Sequence, residues 1–110
     1  MDNYDLIIIG AGPAGSTLAT ALEGSDKRVL IVDKQTFPRD KTCAGWVTPA
    51  VMDSLAIDTQ DYGADRTLQP IRRFRIGMMG QEPVENDHGE IVSYGIRRSE
   101  FDPYLLQRAH

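Results

Sequence analysis

Cysteine is almost missing from this sequence: Cys43 stands alone, so no internal disulfide is available. Its lack fits a reducing cytoplasm. Histidine is nearly as scarce. His88 and His110 fall at no ligand or triad spacing, and no metal site is expected. Positive charge is not in excess either. Twelve Lys and Arg against sixteen Asp and Glu leave a net charge of −4, so there is no polyanion-binding signature and no nucleic-acid partner is expected. Long apolar runs are lacking too. Leu6-Ile7-Ile8-Ile9 is four residues, against the ~20 of a membrane-spanning helix. The chain enters this run almost at once, which leaves no room for a signal peptide. A cytoplasmic location is expected, with a membrane-peripheral position as the alternative. No internal repeat or low-complexity segment is present. The 110 residues suit one small domain or part of a larger one.

What is there is concentrated in Tyr4 to Lys34, around Gly10-Ala11-Gly12-Pro13-Ala14-Gly15. The pattern reads strand, glycine turn, helix, strand. Leu6 to Ile9 is continuously apolar, as in a parallel strand buried on both faces. Gly10 permits the tight turn, Gly12 a close approach of backbone to a pyrophosphate, and Gly15 close packing of helix on strand. Pro13 suits the first helical turn, where its missing donor is harmless. The N–H groups left over, at the positive helix end, form an anion site. Ala14, Leu18, Ala21 and Leu22 predict the apolar helix face. Gly24-Ser25-Asp26 ends the helix, and Arg28 to Asp33 is a second buried strand. Asp33 follows Gly15 by 18 residues, near the ~20 expected of the acid that binds a ribose. That carboxylate disfavours a 2′-phosphate, and with it NADP. The fold class expected is α/β, opening with a Rossmann-like dinucleotide-binding βαβ unit.

Lys34 to Pro49 lacks periodicity and reads as a loop. Arg39 and Lys41 lie where the chain leaves the second strand, the end at which open α/β sheets bind ligands. They either meet phosphate or adenine, or belong to a solvated loop. Cys43 reads as a small buried residue rather than an activated thiol. Ala44-Gly45 permit close backbone approach to something flat, and Trp46 reads as packing or a pocket wall. Thr48-Pro49 starts a helix with Val51, Met52 and Leu55 on its apolar side, expected to be short because Asp58 to Arg66 is polar and contains Gly63. Phe74, Ile76 and Met78 alternate with polar residues as in a half-buried strand. Gln81 to Glu85 is a short second strand, Asn86 to Gly89 a turn, and Ile91 to Ile96 a third strand. This antiparallel material forms a separate β layer. Arg72, Arg73 and Arg75 read as a solvated face. Ser99 caps a last helix with Asp102 in the capping-box position and Phe101, Leu105 and Ala109 on one face. Arg98 is either a surface arginine at a strand end, the simpler account, or part of a second phosphate site.

Together these pieces resemble a known family. Tyr4 through Ser16 is similar to the start of FAD-dependent oxidoreductases. Asp33-Lys34, Phe37 to Lys41 and Cys43-Ala44-Gly45 resemble the geranylgeranyl reductase-like branch of the p-hydroxybenzoate hydroxylase-type flavoproteins. Arg97 to Asp102 with Leu105 is similar to the arginine-plus-helix motif of those proteins. The resemblance implies FAD as cofactor. Gly10, Ala11, Gly12, Pro13, Ala14 and Gly15 would cradle its pyrophosphate, and Asp33, with Lys34 beside it, would hold the adenosine ribose. Arg39, Cys43, Ala44 and Gly45 would lie along the cofactor, the last three near the isoalloxazine, and Arg98 would reach the phosphates. It also implies flavin-mediated hydride transfer to a small-molecule substrate, an isoprenoid lipid or an aromatic. The electron donor would be NAD(P)H or ferredoxin. Sister branches hydroxylate or halogenate, and a non-catalytic nucleotide-binding fragment is a further alternative. No catalytic residue is assigned.

A two-stranded parallel start does not make an independent sheet, and no third parallel strand is visible. The last helix runs into His110 without a cap. The expectation is therefore an incomplete domain, the amino-terminal part of a longer FAD-binding protein and inactive by itself. Its parts would be 1–48 (βαβ unit and flavin-side loop), 49–97 (helix and β layer) and 98–110 (start of a helix).

Overall fold

The computed structural model describes residues 1–109, so His110 lies outside the described residues. In chain order the elements are β1 (Leu6–Ile9), α1 (Pro13–Ala21), β2 (Val29–Val32), β3 (Trp46–Val47), α2 (Pro49–Ser54), α3 (Thr59–Gly63), β4 (Gln69–Ile71), β5 (Arg73–Ile76), β6 (Val84–Asp87), β7 (Ser93–Gly95) and α4 (Arg98–Gln107). They form two units. One comprises Met1–Thr42 and the segment from Arg98 on; the other comprises Cys43–Arg97.

In the first unit β1 and β2 pair in parallel, Leu6 opposite Val29 through Ile9 opposite Val32. Asp5 accepts the Arg28 N–H at 2.8 Å and so anchors the start of the pair. This is the βαβ unit expected from the sequence. Two expectations need correction. The strands are not buried on both faces: Ile8 is buried, but Ile7 and Ile9 are 56% and 87% exposed. Nor is Ala14–Leu18–Ala21 the packed side of α1, since all three are exposed. The helix instead turns Ser16, wholly buried, with Ala19 and Thr20 inward. Small residues do this because α1 lies against the strands and against α4 at once, where a leucine would not fit.

α4 contributes Phe101 and Leu105 to the core of this unit. The helix begins at Arg98, not after a Ser99 cap, and it ends at Gln107 instead of running on. Its last carbonyls are met by turn bonds, from Arg108 N–H to Leu105 and from Ala109 N–H to Leu106.

The second unit holds two antiparallel sheets, ordered β3-β7-β4 and β5-β6. Thr48 caps α2 as expected, its side chain accepting the Val51 N–H. Ala56 closes the helix with φ of 50°, while Ile57 N–H donates to Met52 C=O and Ala56 N–H to Asp53 C=O, a Schellman ending. Three elements were missed. Trp46–Val47 is a strand on β7, not loop. Gln69–Ile71 is the other neighbour of β7. Asp58 starts α3, its carboxylate accepting from Gln60 and Asp61 N–H. Polar composition hid that helix, although it buries Tyr62 completely. The β5-β6 hairpin differs from expectation: β5 ends at Ile76, short of Met78, and β6 spans Val84–Asp87 instead of Gln81 to Glu85, so Asn86 and Asp87 are paired with Phe74 and Arg73 and are not turn. Its outer half is solvated: Ile76 and Val84 are about 70% exposed.

Candidate functional site

Gly10 closes β1 with φ of +106°, a left-handed backbone that side chains rarely tolerate. Its N–H donates to Val32 C=O at 2.7 Å, so the turn starts from the tip of the β-pair. Gly15 is the tightest of the glycines: a Cβ there would run into the carbonyl oxygen of Gly10. Gly12 is different. A Cβ there would meet nothing nearer than Arg39 Nη2 at 3.8 Å, so this glycine keeps space clear in front of the turn rather than relieving a clash. Pro13 opens α1, and no side chain caps the helix. The first-turn N–H groups are therefore left for an anion.

Asp33 does more than end β2. Its Oδ2 accepts the Ala11 N–H at 2.8 Å and its Oδ1 accepts the Gln35 N–H at 2.8 Å. These two backbone bonds, the Ala11 one foremost, hold its carboxyl below the usual value of 3.8, and Arg39 and Lys34 add to that. The Ala11 amide, one of the turn donors expected for pyrophosphate, is thus engaged by Asp33 instead. Each carboxylate oxygen keeps a second lone pair for a hydroxyl donor. Behind the turn, buried Ser16 donates its hydroxyl to Ala11 C=O at 3.0 Å. The loop is clamped from both sides.

A cleft of about 560 Å³ opens in front of these groups. It is lined by Gly10, Gly12, Asp33, Lys34, Arg39 and Arg98, together with Gln35 and Lys41. Six of the expected cofactor-binding residues therefore line one cleft. Pro13, Ala14 and Gly15 line an adjoining groove with Ile9 and Leu18.

The arginines are held by a residue that sequence reasoning assigned to another task. Asp102 is wholly buried. Its Oδ2 accepts from Arg39 Nη1 at 2.7 Å and from Arg98 Nη2 at 2.8 Å, and its Oδ1 accepts from Arg98 Nε at 2.6 Å. It is no capping-box acid. The i, i+4 spacing of Arg98 and Asp102 was the available signal. Phe37 lies under the Arg39 guanidinium, 4.4 Å from ring centroid to Cζ.

Cys43, Ala44 and Gly45 belong to the second unit. Cys43 is exposed, not buried as expected, and its Sγ accepts from Gly45 N–H at 3.4 Å. Gly45 has φ of +74°, and a Cβ there would come 2.7 Å from Ile96 C=O. Ile96 N–H donates to Gly45 C=O at 2.7 Å. The segment is thus tied to the end of β7. Trp46 is 59% exposed and meets Phe74 edge-on at 5.6 Å.

The chain is 43% identical to a menaquinone reductase of Mycobacterium tuberculosis over 98% of its own length. It is 39% identical to digeranylgeranylglycerophospholipid reductase 1 of Methanothermobacter thermautotrophicus over 96%. It spans about 27% of each of those relatives. Among solved structures it superposes on the myxobacterial chondrochloren halogenase CndH, a variant of FAD-dependent halogenases. The TM-score is 0.69 at 28% identity, over 96% of this chain and 26% of that one. The resemblance carried by Tyr4–Ser16, by Asp33-Lys34, Phe37–Lys41 and Cys43–Gly45, and by Arg97–Asp102 with Leu105 is borne out by these relatives. Residues 8–66 match the NAD(P)-binding Rossmann-like domain, and the chain belongs to that family.

Proposed function

We propose that this chain is the FAD-binding amino-terminal portion of a flavin-dependent oxidoreductase of the geranylgeranyl reductase-like group. The observation that carries the reading is the single cleft shared by the Gly10–Gly12 turn, Asp33, Arg39 and Arg98. The turn and the uncapped start of α1 bind the diphosphate, helped by the two guanidiniums. The remaining lone pairs of Asp33 accept from the ribose hydroxyls, and Lys34 sits beside them. Pro13, Ala14 and Gly15 set the close approach of helix to strand. Cys43, Ala44 and Gly45 offer a side-chain-poor stretch along the flavin ring. FAD supplies the hydride chemistry; the protein supplies binding, orientation and electrostatics.

The reductases it matches carry the names of isoprenoid lipid and menaquinone substrates. These names support an unsaturated isoprenoid substrate; we propose with it NAD(P)H or ferredoxin as electron donor and a cytoplasmic site of action, with a membrane-peripheral position as the alternative. Among the described residues no helix is long and apolar enough to cross a membrane. The likeness to CndH favours a second reading, halogenation of an aromatic.

The test is the visible spectrum of the parent protein. A flavin spectrum bleached by dithionite is expected, and replacing Gly12 with valine should strip the cofactor while leaving the fold. A colourless parent that binds only ADP would overturn the reading in favour of a non-catalytic nucleotide site. Turnover of an isoprenoid lipid against halide-dependent modification of an aromatic separates the two branches.

A further inference from the structure

The nucleotide reading gives Arg39 and Arg98 a role but leaves Asp102 without one. Among the described residues Asp102 is the one charged side chain removed from water altogether. Burying a carboxylate is costly unless it is paired and hydrogen-bonded. Here it is paired twice, by arginines 59 positions apart in sequence, one from the loop after β2 and one from the first turn of α4. Both arginines line the cleft, whereas Asp102 does not.

The geometry is specific. Arg98 is gripped side-on through Nε and Nη2, one to each carboxylate oxygen. Such a two-point contact fixes the plane of the guanidinium as well as its position. Arg39 is held by one nitrogen only, Nη1, and its Nη2 lies toward the Gly12 turn. Two guanidiniums brought to one wall repel each other. A shared carboxylate behind them offsets that repulsion, and along the cleft itself Lys34, Arg39, Lys41 and Arg98 outnumber Asp33.

We propose that Asp102 is the positioning residue of the diphosphate site. It presets Arg39 and Arg98 in one rigid arrangement, so that a dinucleotide meets oriented donors instead of ordering two flexible side chains itself. This inference rests on the nucleotide reading above.

The experiment uses the full-length parent protein freed of cofactor, titrated calorimetrically with FAD, ADP and adenosine. Asp102→Asn keeps the shape but turns an N–H toward a guanidinium. It should weaken FAD and ADP by about ten- to a hundredfold, the loss typical of misplaced recognition groups, and leave adenosine, which has no phosphate, within about twofold. Equal weakening of all three ligands would make Asp102 a bystander that merely supports the fold, and unchanged FAD affinity would overturn the proposal as well. Should Asp102→Asn not fold, Arg98→Lys takes its place. It keeps the charge but loses the planar fork, and it should show the same split between ADP and adenosine; wild-type ADP affinity in that variant would overturn the proposal. Failure of the nucleotide reading is distinguishable, because then the wild-type protein itself binds neither FAD nor ADP.

Discussion

Asp102 stands between two arginines, and Arg73 stands between two acids, Glu85 and Asp87. In numbers of charges the two clusters are mirror images. Their surroundings differ. Asp102 is shut off from water, with Arg39 and Arg98 at 10% and 19% side-chain exposure. Arg73, Glu85 and Asp87 are all at least half exposed, on a two-stranded hairpin. The exposed cluster is screened by water and salt and adds little. The buried one is tightly determined, because removing Asp102 takes the shared partner from two largely buried guanidiniums. The first unit therefore concentrates its precision where the cleft-lining arginines sit, and the hairpin does not.

The largest test of this contrast is a pair of truncations. Asp102→Ala should cost about 3–5 kcal/mol, as for a broken buried pair. Arg73→Ala should cost less than about 1 kcal/mol. Urea unfolding of the parent protein measures both, and equal costs would abolish the distinction. Next in size are two glycines. Gly15→Ala drives a methyl into the Gly10 carbonyl and should cost about 3 kcal/mol, at the upper end for overpacking. Gly63→Ala, in α3, meets only the Leu68 side chain at ordinary contact distances. It should be neutral or stabilising by up to about 1 kcal/mol, the helix preference for alanine. Both are read from unfolding midpoints, and a reversal of sign at either position would contradict the packing described.

The smallest effect is in pH. Asp33 accepts backbone bonds in the folded state, which lowers its pKa below 3.8. Its contribution to stability is thus complete above that unfolded value and is lost as pH falls through the lower folded one. Asp33→Asn should flatten the acid limb of a melting-temperature curve taken between about pH 2 and 6. An unchanged acid limb would mean that the Ala11 and Gln35 bonds do not distinguish the charged carboxylate.

Local chemistry is what the sequence determined alone. A left-handed turn needs Gly10, a close crossing needs Gly15, the apolar runs Leu6–Ile9 and Val29–Val32 pair in parallel, and Thr48-Pro49 starts a helix. Each of these is set within a few residues, where backbone sterics and capping suffice to read it. For the same reason the α/β class and the position of the candidate site were legible. Tertiary structure alone decided which side of α1 is packed, because that depends on α4, which lies some eighty residues downstream. It decided that Trp46–Val47 and Gln69–Ile71 are strands, since two or three residues become a strand only through a partner, here β7. It also took Asp102 from a helix cap to the centre of an arginine pair, because Arg39 reaches it only through the folded chain.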